Sequence, residues 1–283
     1  MQLKRLKSAS HPEDKQRRQY HISLAPGEIP RYVLLPGDPA RVAKIASMWQ
    51  EKKKIAEHRE FITYAGKYRG ANVSCTSTGI GAPAAAIAME ELLSVGADTF
   101  IRVGTTGALK KEIKIGDLII TSASCRMDGT SSQYIWQGYP AAASYEVILA
   151  LVEAAETVGA RYHVGITASA DSFYIGQGRP GYKGYSPSWS RNLIEDARNA
   201  NILNFEMESS VLLTLAGIYN ARAGCICAVI ANRETDEFVQ EAGVENAIKV
   251  ANEAVAILHD WDRRKDKLKK SHFYPSILKQ NVI

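Results

Sequence analysis

Nowhere does the chain carry an apolar run long enough to cross a bilayer. Its first twenty residues, MQLKRLKSASHPEDKQRRQY, hold no apolar signal core. A cytoplasmic protein without a membrane partner is the expectation. Cysteine is scarce: Cys75, Cys125, Cys225 and Cys227 are the four in 283 residues. Cys225 and Cys227 share one face of a strand, but their spacing is not that of a zinc pair. Buried, reduced thiols are expected. There is no internal repeat and no linker, so one domain is expected over 21–260. Neither a dinucleotide fingerprint nor a P-loop is present; the glycine-rich turns at 78–83 and 104–107 fit neither pattern.

Excess charge is confined too. The net charge is +5. Residues 1–19 carry a net +4 and residues 260–270 a net +3, so the rest of the chain is slightly acidic. The basic ends, an arm over 1–20 and a helix end and tail over 261–283, read as solvated. No aromatic platform accompanies them, which argues against nucleic acid as a partner.

What is there is a β–α alternation. Apolar runs at 32–35, 72–77, 99–103, 118–121, 163–168, 202–206 and 224–231 read as strands. The segment 62–68 reads as a hairpin turning near Ala65 and Gly66, and 21–24 as a short strand in the arm. Helical patterns follow at about 40–46, 84–95, 145–158, 191–200, 209–219 and 244–270. Glu90 and Glu91 read as a partly exposed helix face. This is the pattern of an α/β fold, with ligands expected where strands end.

The stretch 101–109, IRVGTTGAL, organises the rest. It reads as a buried strand emptying into a loop of Gly104, Thr105, Thr106 and Gly107, with Arg102 just before it. A buried arginine calls for an anion. Arg41, in the first turn of the helix after PGDP, opposes the helix dipole and calls for one as well. Glu206 and Glu208 flank Met207 at a strand-to-helix junction. Phe173, Gln177 and Arg179 follow another strand in a polar loop that continues to Trp189. By chemistry, Arg41, Arg102, Thr105 and the Gly37 amide suit phosphate. Glu208 suits a diol. Phe173, Gln177 and Arg179 suit a flat heterocycle with an amide-like edge.

Seven spaced motifs in order carry a resemblance: PGDPARVAKIA (36–46), HREF (58–61), TGIGAP (78–83), RVGTTGA (102–108), GITASADSFYIGQGR (165–179), NFEMES (204–209) and ANR (231–233). Over about 21–258 the chain resembles the nucleoside phosphorylase family of the hexameric and trimeric type, in its pyrimidine-acting branch. That resemblance implies a mixed, twisted, partly barrel-like sheet flanked by helices. It implies phosphorolysis of uridine, or of deoxyuridine or thymidine, with phosphate as co-substrate and no cofactor.

The roles it implies are as follows. Gly37, Arg41, Arg102 and Thr105 would hold phosphate, with Arg59 of a neighbouring subunit. Met207 and Glu208 would hold ribose, with a neighbour's His21. Phe173, Gln177, Arg179, Arg233, Thr106, Gly107 and Glu206 would surround the base. Shared sites imply a homo-oligomer, at least a dimer and in bacterial-type relatives a hexamer. A monovalent cation near Glu60 is in doubt, because relatives have a serine hydroxyl where this chain has Ala84. Purine relatives protonate the base with an aspartate where this chain has Arg233, and Asp236 lies three residues further on. A purine phosphorylase, a hydrolytic nucleosidase and a non-catalytic nucleoside-binding protein are the alternatives.

Overall fold

The computed structural model describes residues 8–280. The chain begins with β1 (Tyr32–Leu35), α1 (Pro39–Ala46), β2 (Gln50–His58), β3 (Phe61–Tyr68), β4 (Ala71–Thr76) and α2 (Ala82–Ser94). It continues through β5 (Thr99–Ala108), β6 (Leu118–Met127), α3 (Thr130–Tyr134), β7 (Ala141–Ala142), α4 (Tyr145–Val158) and β8 (Tyr162–Ala170). It ends with α5 (Leu193–Asn199), β9 (Ile202–Glu206), α6 (Ser209–Ile218), β10 (Arg222–Asn232), β11 (Glu237–Phe238) and α7 (Val244–Leu268).

All eleven strands join one mixed sheet, in the order β11-β10-β6-β8-β9-β5-β1-β4-β3-β2, with β7 on β6. A further pairing of β10 with β5 closes β10, β6, β8, β9 and β5 into a ring. The sheet is thus partly a barrel, as the resemblance implies. One apolar layer lies under α1, α4 and α7, with Val42, Leu151 and Leu258 fully buried. The other lies under α2 and α6, with Met89, Leu92 and Leu215 fully buried.

The central stretch differs from its reading. Residues 104–107 are not a loop, because β5 runs on to Ala108. Along one side β10 shadows it, with Cys225 opposite Arg102 and Cys227 opposite Gly104. On the other side β1 pairs up to Arg102 and β9 takes over at Gly107. Residues 103–106 have no strand partner on that side, and this gap opens the site. Although β9 runs antiparallel to β5, the site still gathers residues at or just past the carboxyl ends of β1, β4, β8, β9 and β10, together with the second half of β5.

Three other readings change. Residues 62–68 form an unbroken strand, and the hairpins turn at 59–60 and 69–70. Residues 21–24 are not a strand; Ile22 and Leu24 are fully buried and anchor the arm, each by roughly 1.5–3 kcal/mol. Cys125 is exposed, while the other three cysteines are buried and all four are free.

Residues 1–7 and 281–283 of the basic ends lie outside the described residues; the described parts, 8–20 and 261–280, are more ordered than a solvated reading allows. Arg18 forms a two-point ion pair with Glu28, at 2.9 and 2.5 Å. Helix α7 crosses position 260 without a break. Beyond it, Phe273 stacks on Trp261 at 3.7 Å and Ile277 is fully buried. Lys265 is buried against Glu146 and Asp262. No helix among the described residues is long and apolar enough to cross a membrane.

Candidate active site

Local sequence explains how the site is walled. Asp38 caps α1 by accepting the Ala40 N–H at 2.9 Å, which fixes the turn carrying Gly37 and Arg41. Gly79 N–H donates to the Gly37 carbonyl at 3.0 Å, joining that turn to 78–83. Gly79 and Gly81 both have positive φ, +73° and +92°, which a side chain would strain. At the start of α6, Glu206 accepts the main-chain N–H of Glu208 at 3.0 Å and of Ser209 at 3.0 Å. Its charge suits that helix end.

A single cavity of about 660 Å³ lies above these turns. Arg102 and Gln177 both line it, as do Gly37, Arg41, Thr105, Thr106, Gly107, Phe173, Arg179, Glu206, Met207 and Glu208. At one end sit two buried guanidinium groups. Arg41 donates to the Val103 carbonyl at 3.1 Å. Burial, and then the charge of Arg102, push the Arg41 pKa down, so an anion here would relieve both. Against the cost of burial, Glu208 and Glu206 hold Arg102 firmly charged. Its Nε donates to Glu206 at 2.7 Å and its Nη2 to Glu208 at 2.5 Å. A Cβ at Gly37 would stand 3.1 Å from the Gly79 carbonyl oxygen and 4.0 Å from Arg102 Nη1. Thr105 is half-buried, and no side-chain hydrogen bond engages its hydroxyl among the described residues.

The two glutamates divide their work. Glu206 lines the cavity, yet its oxygens accept from Arg102, two main-chain N–H groups and Ser209 Oγ at 2.6 Å. In this structure it braces Arg102. Glu208 accepts the Gly81 N–H at 2.5 Å. Burial raises its carboxyl pKa and Arg102 opposes the rise.

At the opposite end, Arg179 lies over the Phe173 ring, 3.9 Å from its centroid. It donates to Gln177 Oε1 at 2.6 Å and to the Phe173 carbonyl at 2.7 Å. Burial, then the nearby Arg233 charge, lower the Arg179 pKa to about 10. A Cβ at Gly107 would meet Arg179 Nη2 at 3.6 Å. Arg233 does not line the cavity; it donates to the Gln177 carbonyl at 2.8 Å and so props the loop that carries Gln177. Thr106 lines the floor, but its hydroxyl donates to the Phe205 carbonyl at 2.6 Å and accepts from Asn204 at 2.7 Å.

His21 and Arg59 do not line this chain's own cavity. Arg59 is exposed and reaches Tyr20 Oη at 3.2 Å. Nor do Asp236 or residues 180–190 line it; Tyr182, Tyr185 and Trp189 stand exposed. Sequence reading missed Ile80, Phe205, Ile230 and Phe238, which do. Phe205 was readable as an apolar strand end, whereas Ile80 and Phe238 are exposed rim residues without a pattern. Glu60, Gly79 and Ala84 lie together: a Cβ at Gly79 would be 3.0 Å from Glu60 Cγ and 3.6 Å from Ala84 Cβ. Ala84 contributes a methyl where a cation needs an oxygen, so the residues present do not fit the cation the resemblance implies.

Comparison with known proteins shows the family. The family model described as the phosphorylase superfamily matches residues 31–259. The chain belongs to the phosphorylase superfamily. Among its relatives, a uridine phosphorylase of Thermococcus kodakarensis is 58% identical over 270 residues, covering 95% of this chain and 97% of the relative. The uridine phosphorylase of Escherichia coli is 41% identical over 250 residues, covering 87% and 97%. A guanosine phosphorylase of Halorubrum lacusprofundi is 35% identical over 252 residues, covering 85% and 99%. The superfamily match spans every element that lines the cavity.

Proposed function

We propose that this protein is a uridine phosphorylase: an enzyme that cleaves uridine reversibly with phosphate, to uracil and ribose 1-phosphate. Deoxyuridine and thymidine are further candidate substrates. The observation that carries this reading is a single cavity with paired guanidinium groups at one end and an amide, a guanidinium and an aromatic ring at the other. Glu208 lines the same cavity, paired with Arg102.

In this reading phosphate sits against Gly37, Arg41, Arg102 and Thr105. Glu208 accepts the hydroxyl hydrogens of the ribose, and Met207 packs beneath the sugar. The base lies against Phe173 with its polar edge toward Gln177 and Arg179. The C1′–N1 bond breaks and its electron pair moves onto the pyrimidine. A phosphate oxygen then bonds to C1′. Positive charge building on the ribose is stabilised by phosphate and Glu208. Negative charge on the departing base is stabilised by Arg179 and Gln177. Donors fixed in advance act without reorganising, and each charge-assisted hydrogen bond is worth about 1.5–3 kcal/mol. No protein nucleophile and no cofactor is required by the reaction drawn this way.

Arg59 and His21 would complete a neighbour's cavity, which makes the active form a homo-oligomer, at least a dimer, with a hexamer as the form the resemblance suggests. A cytoplasmic location belongs to the same reading. The guanosine-cleaving relative makes purine nucleosides the competing substrates. Incubation with uridine, inosine or guanosine, each with phosphate, tests the choice. Release of uracil well ahead of purine base is expected; faster purine release would overturn it.

A further inference from the structure

Glu91 is a buried carboxylate outside the cavity. Near the end of α2, where Ala88 and Leu92 are buried as well, it is costly to bury without partners. Its donors come from the arm. Oε2 accepts the main-chain N–H of Ile22 at 2.8 Å and of His21 at 3.0 Å. Oε1 accepts from His21 Nδ1 at 2.7 Å, with the His21 N–H at 3.2 Å. The ring contact is the shortest of the four. His58 Nδ1 lies 2.9 Å from the His21 carbonyl, and the Tyr20 ring meets the imidazole edge-on at 4.8 Å. The ring is therefore held by Glu91 and Tyr20, and the His21 main chain by His58.

A carboxylate approached by main-chain N–H groups is an acceptor only. His21 Nδ1 must then carry a hydrogen, and in the neutral ring Nε2 is left as an acceptor. We propose that Glu91 is a positioning residue, which fixes His21 as the Nδ1–H form so that Nε2 accepts a sugar hydroxyl of a nucleoside in a neighbouring copy's cavity. This rests on the function proposed above. With Glu208 assigned to the 2′,3′-diol, the hydroxyl left for His21 is the 5′-hydroxyl. An acceptor there selects nucleosides that carry a 5′ O–H over those that lack one.

Two measurements test this on the full-length protein. The first is solid-state NMR of sedimented wild-type protein labelled with nitrogen-15 at histidine, recorded at pH 8.5. The His21 signals are identified by their loss in His21→Ala. Hydrogen on Nδ1 and a bare Nε2 are expected; hydrogen on Nε2 would overturn the proposal. It needs no variant at Glu91.

The second compares kcat/KM for uridine and 5′-deoxyuridine. The wild type should prefer uridine about fivefold to tenfold, the worth of one hydrogen bond. In Glu91→Gln the introduced amide gives its oxygen to the main chain and its NH2 to Nδ1, which moves the ring hydrogen to Nε2. The preference should then fall to within about twofold, as in His21→Ala, and the double variant should fall no further. An unchanged preference in Glu91→Gln, or an equal loss on both substrates, would contradict it. An unchanged preference in His21→Ala would overturn it as well. Uracil release by the wild type, read in the same assays, judges the parent function separately.

Discussion

Replacing Gly104 by alanine tests how tightly the anion end is built. A Cβ at that position would lie 2.7 Å from Cys227 Sγ, 2.8 Å from Arg102 Nη2 and 2.9 Å from Arg102 Cζ. Contacts this short cannot persist. The sulfur has little room, because Cys227 is buried and lies 3.6 Å from Cys225 Sγ. Arg102 is pinned by two carboxylates, at 2.7 and 2.5 Å. Overpacking of this kind costs about 1–3 kcal/mol of stability. Moving the guanidinium off its anion forfeits a charge-assisted contact worth about 1.5–3 kcal/mol, or roughly 10-fold to 100-fold in kcat/KM. The expected outcome is a lower Tm and a loss of kcat/KM for phosphate that exceeds the change in KM for uridine. Adding Cys227→Ala removes the sulfur but leaves the guanidinium clash, so Tm should recover in part while the phosphate defect stays. Steady-state kinetics with each substrate varied, together with thermal unfolding, read both. Wild-type KM for phosphate in Gly104→Ala would refute the argument.

Two further predictions concern the base end and the C-terminal network. Arg179→Ala should lower kcat/KM for uridine by about 10²–10³, the usual cost of losing one charge-stabilising donor. It should change ribose 1-phosphate binding only slightly, and equal loss of both would remove its role at the base. Burial works against the charges on Asp262 and Glu146, yet hydrogen bonds from Arg222 to Asp262, and from Lys265 and the Phe273 N–H to Glu146, hold both carboxyl pKa values down. Their stabilisation is therefore present above the unfolded carboxylate values of about 4 and is lost as pH falls through the lower folded values. Tm should drop below about pH 4, and less steeply in Asp262→Asn; identical slopes would contradict the assignment.

Much of this was legible in the chain. Helices at 145–158 and strands at 32–35 and 202–206 appear where apolar periodicity places them. The residues grouped by chemistry into anion, diol and heterocycle contacts do line one cavity. The misreadings have a common cause. Gly66 and Gly104 read as turn glycines, but both sit inside strands where another group comes too close for a Cβ. A Cβ at Gly66 would meet the Gln50 carbonyl oxygen at 3.0 Å and Lys52 Cα at 3.1 Å. Close approach across a sheet depends on pairings that local sequence does not encode. Glu91 and Lys265 looked like surface charges because their partners, His21 and Glu146, lie 70 and 119 residues away. Arg179 and Phe173 do line one cavity, but the direct contact of guanidinium on ring was not legible.

The central claim is that phosphate, held by Arg41 and Arg102, takes the ribose from the pyrimidine. The direct measurement is identification of the sugar product from uridine, with and without phosphate. Ribose 1-phosphate equal in amount to uracil, and no uracil without phosphate, is the predicted result. Free ribose, or uracil released at the same rate without phosphate, would contradict it.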